Sequence, residues 1–421
     1  MKIRFTKIGY IIIALLMTIG CTEEAKKTEL TAADILGNPE YLAISYGGYR
    51  EKTRDVQPTI EELKDDMKIL AAMNVKILRT YNVHLNQASN LLEAIKQLKE
   101  ENSNFEMYVM LGAWIDCENA WTELEPNHEA ESPRNAIEIA SAVELTNKYP
   151  EIVKIIAVGN EAMVRWATSY YVQPKVILKW VNHLQELKGN GKLPEDLWIT
   201  SSDDFASWGG GDPSYHTKDL EALIKAVDYV SMHTYPMHNS YYNPQFWVVP
   251  EEENELLDIE KTDAAMARAL DFAKTHFQNV SKYVKSIDST KTIHIGESGW
   301  TTLSNGHYGK EGSKAADEYK AGVYYKNLRD WSNNGKISCF YFEAFDEQWK
   351  DAKNSKGSEN HFGLINLKGE AKYAIWDLVD NGTFEGLTRN GMPITKTYYG
   401  EKNVLMDDVL VPPANEFEKD K

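Results

Sequence analysis

Cysteine is scarce in this chain, and the short motifs typical of metal and nucleotide sites are missing. The three cysteines, Cys21, Cys117 and Cys339, are too few for a disulfide framework and form no C-x-x-C pair. The chain also lacks H-E-x-x-H, the P-loop pattern G-x-x-x-x-G-K-S/T and G-x-G-x-x-G. These absences exclude the commonest zinc-peptidase, P-loop and dinucleotide-binding proteins.

Positive charge is also in short supply. The chain has 46 Lys and Arg against 63 Asp and Glu, which gives a formal net charge of −17. This charge repels phosphate backbones and anionic lipid headgroups, so no nucleic-acid partner is expected. A hydrophobic content of 43% is enough for a large core and excludes a disordered chain. The length of 421 residues fits either two or three domains or one α/β barrel.

The longest apolar run lies at the N-terminus, over residues 8–19, after the basic residues Lys2, Arg4 and Lys7. It is too short for a comfortable membrane span but typical of a signal peptide. The run ends just before Cys21, in a pattern that resembles a bacterial lipoprotein box. We therefore expect a signal peptide (1–20), acylation of Cys21, a tether (21–38) and a lipid-anchored protein of the outer membrane, exposed at the surface. An ordinary signal peptide with an incidental cysteine is the alternative.

The rest of the chain alternates between β-branched or aromatic runs and stretches with helical spacing. Eight strands are predicted, at 42–47, 75–81, 107–113, 153–158, 197–201, 229–235, 292–296 and 337–345. Eight strands alternating with helices predict a (β/α)8 TIM barrel over 39–380, one catalytic domain with long βα loops, followed by a C-terminal extension over 381–421. An open doubly wound sheet is the alternative, but its glycine fingerprint is missing.

Carboxylates stand at the ends of three predicted strands. Glu161 follows the fourth strand, Glu297 the seventh, and Glu343 and Glu347 lie at the end of the eighth. Functional residues of such barrels gather at these strand ends. Glycoside hydrolysis needs two carboxylates flanking one bond, and a carboxyl group on an apolar strand has the raised pKa that suits an acid. The pattern favours a glycosidase.

Two of these motifs resemble glycoside hydrolase family 17. They are Val158-Gly159-Asn160-Glu161 and Glu297-Ser298-Gly299-Trp300. Other matches follow in the family's order: Ser45-Tyr46-Gly47, Leu78-Arg79-Thr80-Tyr81, His233-Thr234-Tyr235-Pro236 and Asp346-Glu347-Gln348-Trp349-Lys350. Thr301 stands where plant members usually have proline, and Leu111-Gly112-Ala113-Trp114 is closer to fungal and bacterial members.

The resemblance implies a retaining endo-acting hydrolase of β-1,3-glucosidic bonds in laminarin-type β-glucan. Glu161 would be the acid/base and Glu297 the nucleophile. The fungal and bacterial members include transglycosylases, so a β-1,3-glucan transglycosylase is the first alternative. A non-catalytic glycan-binding lipoprotein is the second, although both glutamates are present.

The resemblance also implies a substrate site without a metal or cofactor, in a protein expected to be a monomer. Asn160 would bind the sugar 2-hydroxyl, and Tyr235 would hold Glu297. Ring stacking on pyranose faces is expected of strand-end aromatics. The further predicted substrate-binding residues are Tyr46, Arg79, Tyr81, Trp114, Trp300, Glu343, Glu347 and Lys350. His233 and His294 are expected to be hydrogen-bonded barrel residues rather than metal ligands.

Overall fold

The computed structural model of the protein describes residues 30–414. The predicted signal peptide, Cys21 and the first part of the predicted tether lie outside the described residues, as does the end of the chain from 415. Within the described residues, the chain from Thr31 onward forms a single unit. Within residues 30–414, no helix combines the length and the apolar character needed to cross a membrane.

Eight parallel strands close into a barrel in which each strand pairs with its two neighbours, in the order β1-β8-β7-β6-β5-β4-β3-β2. The strands are β1 (Leu42–Ser45), β2 (Val75–Arg79), β3 (Tyr108–Ala113), β4 (Val153–Asn160), β5 (Trp198–Asp204), β6 (Val230–His233), β7 (Ile293–Gly299) and β8 (Cys339–Phe342). This confirms the predicted (β/α)8 barrel and rules out the open sheet.

Helices follow the strands and cover the barrel. They are α1 (Ile60–Ala72), α2 (Asn86–Glu101), α3 (Arg134–Lys148), α4 (Pro174–Gly189), α5 (Lys218–Ala226), α6 (Asp258–Ile287), α7 (Glu318–Asn334) and the short α8 (Trp376–Asp380). Shorter helices are Ala32–Ile35, Pro236–Tyr242 and Lys402–Asp407. The predicted helix starting near Glu370 begins instead at Tyr373, as a 3-10 turn that leads into α8.

Local sequence explains these elements. β4 is buried over Val153–Gly159, because a parallel strand inside a barrel has no solvent-facing side. α1 begins at a capping box, in which Thr59 and Glu62 satisfy each other's free backbone N–H groups. The apolar side chains of α2 recur on one face and pack against the strands.

The N-terminal end of the predicted barrel domain needs correction. The last part of the predicted tether is folded, because Ala32 and Ile35 are fully buried and Gly37 N–H donates to Ser338 Oγ at 2.9 Å. The barrel unit therefore begins at Thr31 rather than at residue 39. These residues lie beside the N-terminal end of β8.

The C-terminal extension packs on the barrel. Arg389 is buried, and its Nε donates to Asp66 Oδ1 of α1 at 3.0 Å. The other oxygen of Asp66 accepts the Tyr46 hydroxyl at 2.8 Å. Further along, the Leu410 N–H donates to Asp317 Oδ2 at 3.1 Å. The extension is thus connected through Asp66 to the residue that follows β1.

Candidate active site

The two glutamates predicted to be catalytic lie side by side at the carboxyl end of the barrel. Glu161 follows β4 directly, and Glu297 is a residue of β7. One carboxylate oxygen of each lies within 4.8 Å of the other. Carboxyl groups about 5–5.5 Å apart are typical of retaining glycosidases, whereas inverting ones leave about 6.5–9.5 Å for a water molecule. The short separation fits retention.

A sharp turn at the end of β4 presents Glu161 to the cleft. Gly159 has φ +82°, and a Cβ there would lie 2.9 Å from the Ala162 Cβ, so glycine is required. Glu161 itself has φ +46°, a left-handed conformation that is rare for residues with a side chain. Its N–H donates to the Ser202 carbonyl of β5 at 3.0 Å. The turn therefore fixes where the Glu161 side chain begins.

Glu297 is held as a carboxylate. The guanidinium of Arg79, from β2, donates to its Oε1, and the Tyr235 hydroxyl donates to its Oε2 at 2.7 Å. Burial alone would raise the pKa of Glu297. His233, which is protonated only in the acidic range where Glu297 itself titrates, the charge of Arg79 and the hydrogen bond from Tyr235 outweigh it and lower that pKa well below its usual range. Glu297 is therefore ionised at neutral pH.

Glu161 has the opposite tendency. Burial raises the pKa of Glu161, and the negative charge of Glu297 raises it further. Its carboxyl group meets His233 Nδ1, which lies 3.0 Å from Oε1. Glu161 therefore holds a proton near neutral pH, while its neighbour is charged.

His233, the last residue of β6, links the two carboxyl groups. Its Nδ1 lies 3.0 Å from Glu161 Oε1 and 3.6 Å from Glu297 Oε2, and its Nε2 lies 2.7 Å from the Ser202 hydroxyl. Burial lowers the pKa of His233 to about 4, so the ring is neutral at neutral pH. A neutral ring can donate through Nδ1 while accepting the Ser202 hydroxyl through Nε2. His233 is the hydrogen-bonded barrel residue that was expected, but the expectation did not include its contact with both glutamates.

Among the described residues, one group of His, Cys, Asp or Glu side chains is close enough to hold a metal ion, and it is this same trio of Glu161, His233 and Glu297. Arg79 donates to Glu297 from within the site and places a fixed positive charge there. A cation between the two carboxylates would be repelled by that charge. The donor set fits proton transfer better than metal binding.

The pair opens into a long cleft of about 1550 Å³. That volume exceeds the roughly 300–1,000 Å³ of a small-molecule pocket and fits an extended polymer. The predicted residues that line the cleft are Tyr46, Tyr81, Trp114, Asn160, Glu161, Tyr235, Glu297, Glu347 and Lys350. The site therefore combines two carboxyl groups whose pKa values are shifted in opposite directions with a cleft that fits a chain-like substrate.

Comparison with known proteins identifies the chain at the level of the family. Residues 43–363 match the BtgE/BtgC glycoside hydrolase domain. The chain belongs to this glycoside hydrolase family. It is 25% identical over 331 residues to the "Probable glucan endo-1,3-beta-glucosidase btgC" of Aspergillus terreus, a match that covers 75% of this chain and 42% of that protein. The BtgE/BtgC chain described here thus spans about two fifths of that curated relative's length.

Two solved structures resemble this BtgE/BtgC protein. An endo-laminarinase from Formosa Hel1_33_131 shares 62% identity with a TM-score of 0.91, over 93% of this chain and 100% of that one. A glycoside hydrolase family 17 β-1,3-glucanosyltransferase from Rhizomucor miehei shares 19% identity with a TM-score of 0.55, over 80% and 96% of the two chains. The second likeness concerns the fold alone, and both agree with the predicted barrel.

Two residues predicted to bind substrate, Arg79 and Glu343, do not line the cleft but contact residues that do. Arg79 is buried, and besides Glu297 it donates to Asn160 Oδ1 at 2.5 Å. It therefore orients Asn160, which lines the cleft. Glu343 is also buried and accepts a hydrogen bond from the Lys350 ammonium. Lys350, and not Glu343, lines the cleft. Burial raises the pKa of Glu343, and Lys350 opposes that rise.

Glu347 lines the cleft next to the residues that follow β1. It accepts the Tyr49 N–H at 2.9 Å and the Trp349 indole N–H at 3.0 Å. A Cβ on Gly47 would lie 2.3 Å from Glu347 Oε1, so the glycine of the Ser45-Tyr46-Gly47 motif leaves room for this carboxylate. The motif that contains Gly47 and the motif that contains Glu347 therefore pack against each other at the cleft.

Trp300 is not a substrate contact in this BtgE/BtgC protein. Its side chain is fully buried, its indole N–H donates to the Ala315 carbonyl at 2.8 Å, and its ring packs between Trp247 and Tyr324 at 5.5 and 5.0 Å. The prediction was wrong because Trp300 directly follows β7 and turns into the layer behind the barrel wall. Its position relative to Glu297 could not show that direction.

The prediction missed several aromatic residues of the cleft. Trp121, Trp166 and Tyr170 come from the loops after β3 and β4, and His238 and Tyr308 from the loops after β6 and β7. The only sequence feature that marks them is an aromatic residue in a long βα loop. That feature alone does not distinguish a residue that lines the cleft from one that packs in the core. Trp208 and Trp247 also lie in long βα loops, but they are fully buried.

Proposed function

We propose that the protein is a retaining endo-acting hydrolase of β-1,3-glucosidic bonds in laminarin-type β-glucan. The observation that carries the proposal is the pair of neighbouring glutamates with opposite protonation, Glu161 as acid and Glu297 as carboxylate. The endo-laminarinase of Formosa at 62% identity and the endo-1,3-beta-glucosidase relative support the bond type.

In the first step Glu297 attacks the anomeric carbon and forms a glycosyl-enzyme bond. The carboxylate of Glu297 is ionised, and Arg79 and Tyr235 orient it through one oxygen each. Glu161 gives its proton to the leaving glycosidic oxygen, so that the bond to the anomeric carbon breaks without forming a free alkoxide.

In the second step Glu161, now ionised, takes a proton from a water molecule. The resulting hydroxide attacks the anomeric carbon, breaks the bond to Glu297 and leaves the product with its original configuration. Loss of the Glu297 charge in the intermediate removes the repulsion that raised the pKa of Glu161. That change allows one residue to act as acid and then as base.

The activity can be tested with laminarin and two variants, Glu161→Gln and Glu297→Gln. We expect each to lower kcat by about 10³-fold or more, because one loses the proton donor and the other the nucleophile. Glu195→Gln is a matched control, since this exposed glutamate precedes β5 at the opposite end of the barrel. Full laminarin hydrolysis by both site variants would sink the proposal.

Product analysis tests the remaining parts of the proposal. NMR of the fresh product should show a β-anomer first, since two displacements retain configuration. Laminarin, mixed-linkage glucan and cellulose should be digested side by side to read the bond preference. A transglycosylase would give oligosaccharides longer than the starting one, and dominance of such products would replace hydrolysis by transfer.

We further propose a monomer that is anchored in the outer membrane by lipid on Cys21 and exposed at the cell surface. The basic residues, the apolar run of 8–19 and the position of Cys21 support this. Labelling of cells with a fatty-acid analogue should mark the wild type but not Cys21→Ser. Equal labelling of both, or protection of the wild type from external protease, would contradict the anchor or the surface exposure. Light scattering of the soluble form checks the monomer.

A further inference from the structure

The loop after β3 carries a small hairpin whose aromatic tip faces the cleft. Its strands are Cys117–Glu118 and Asn127–Glu131. We propose that Trp121 of this hairpin, with Trp114 and Tyr170, forms a stacking platform for a further sugar ring of the glucan, beyond the two rings at the scissile bond. The proposal deepens the proposed function and rests on it.

The three rings form one continuous aromatic surface. Trp121 and Tyr170 stack with centroids 5.1 Å apart at 21°, and Trp114 lies 5.3 Å from Tyr170 and 6.4 Å from Trp121. All three line the cleft that contains Glu161 and Glu297. Yet Trp121 is 58% exposed, so much of its ring is available to a ligand.

The hairpin is tied to the loop that carries Glu161. The Cys117 N–H donates to the Tyr170 carbonyl at 3.0 Å, which joins the base of the hairpin to the loop after β4. Arg134 Nη2 donates to the Ala120 carbonyl at 3.0 Å, next to the tryptophan. These bonds hold the platform at a fixed place relative to the acid/base, so a ring bound there would continue the chain bound at the catalytic centre.

The backbone at the tip of the hairpin is left-handed at two residues. Trp121 has φ +62° and Asn119 has φ +65°, and the left-handed region is unfavourable for a bulky side chain. The Asn119 Nδ2 donates to the Glu125 carbonyl at 3.1 Å and supports the turn. Strained residues that project a large exposed side chain tend to occur at functional sites.

Sugar rings provide the matching chemistry. The axial C–H groups of a β-pyranose form an apolar face that is buried well by an aromatic ring. Tryptophan offers the largest such ring and loses little conformational freedom on binding. A neutral polysaccharide also needs no charge to bind there, which fits the dominance of rings over charged groups in the platform.

Trp121→Ala tests the proposal, with Trp121→Phe as the conservative variant. We expect Trp121→Ala to lower kcat/KM on laminarin about 10-fold, and by a factor clearly larger than on laminaritriose, because a short chain can react without reaching the platform. Trp121→Phe should recover most of the loss. Tyr399→Ala is the control, since this aromatic residue is 99% exposed and lies in the C-terminal extension.

Binding gives a readout that does not depend on hydrolysis. In the Glu297→Gln background, adding Trp121→Ala should raise the Kd for laminarihexaose about 10-fold by calorimetry. An unchanged Kd, or equal losses on long and short substrates, would overturn the platform while leaving the proposed hydrolase intact. If the wild type failed to hydrolyse laminarin, the proposed function would fall, and the same titration with other glucans would still decide whether Trp121 binds sugar.

Discussion

The surroundings of Glu161 and Glu297 differ although both residues are buried glutamates at one end of one barrel. Glu297 is met by the Arg79 guanidinium and the Tyr235 hydroxyl, both of which stabilise its charge. Glu161 is met by the neutral ring of His233 and by the charge of Glu297 itself. The same side chain is therefore a carboxylate in one place and an acid in the other.

This comparison shows that the roles depend on neighbours rather than on burial. Burial is the largest single influence on both pKa values and acts upward on each. The two pKa values shift in opposite directions because His233, Arg79 and Tyr235 together stabilise the charge of Glu297. The charge of Glu297 in turn opposes ionisation of Glu161. Activity should then require a pH above the pKa of Glu297 and below that of Glu161.

Removal of the Arg79 cation should have the largest effect on this difference. Arg79→Met takes away the main fixed positive charge beside Glu297, so the pKa of Glu297 should rise and the acid limb of the kcat/KM profile should move to higher pH. We expect a loss of about 10²- to 10³-fold at neutral pH, since a buried charge is left unpaired. Arg79→Lys should lose less. An unshifted acid limb in a folded Arg79→Met variant would break the comparison.

Tyr235→Phe should have an intermediate effect. The phenol donates to Glu297 Oε2 at 2.7 Å, and a hydrogen bond to a charged group contributes about 1.5–3 kcal/mol. The acid limb should again move to higher pH, and kcat should fall about 10- to 100-fold. Tyr399→Phe removes an exposed hydroxyl far from the cleft and should change neither quantity. A lower KM with kcat preserved would instead assign Tyr235 to substrate binding.

Glu359→Gln should have the smallest effect, and on the other glutamate. The negative charge of Glu359 contributes to the raised pKa of Glu161, so its removal should lower that pKa and move the basic limb to lower pH. The shift should be less than about one pH unit, because other influences on Glu161 remain. A change confined to the acid limb would show that Glu359 acts on Glu297 instead.

The barrel was predictable because its pattern is local. Each strand is buried on both faces and therefore reads as a continuous apolar run, and each helix shows one apolar face. All eight predicted strands overlap observed ones. The hairpin after β3 was missed, because its strands are short, polar and exposed at several positions and so lack that pattern.

The residues of the site were predictable where a sequence motif identifies them. They were not predictable where the role depends on the direction in which the side chain points. Glu161 and Glu297 follow from strand ends, since the carboxyl ends of parallel strands share one face. The prediction that Trp300 binds substrate was wrong, and the contact of His233 with both glutamates was missed, for the same reason. A motif places a residue along the chain, but it does not tell whether the side chain turns into the cleft or behind the wall.

The sequence by itself determined the barrel, the strand ends that carry Glu161 and Glu297, and the excess of negative charge, because these depend on composition and on local patterns along the chain. Only the tertiary structure decided which glutamate is charged, because Arg79 lies on β2 whereas His233 and Tyr235 lie at the end of β6, far from it along the chain. It also decided that Trp121 meets Tyr170, through a hydrogen bond between two loops. Electrostatic and stacking energies depend on distances of a few ångströms, and folding sets those distances.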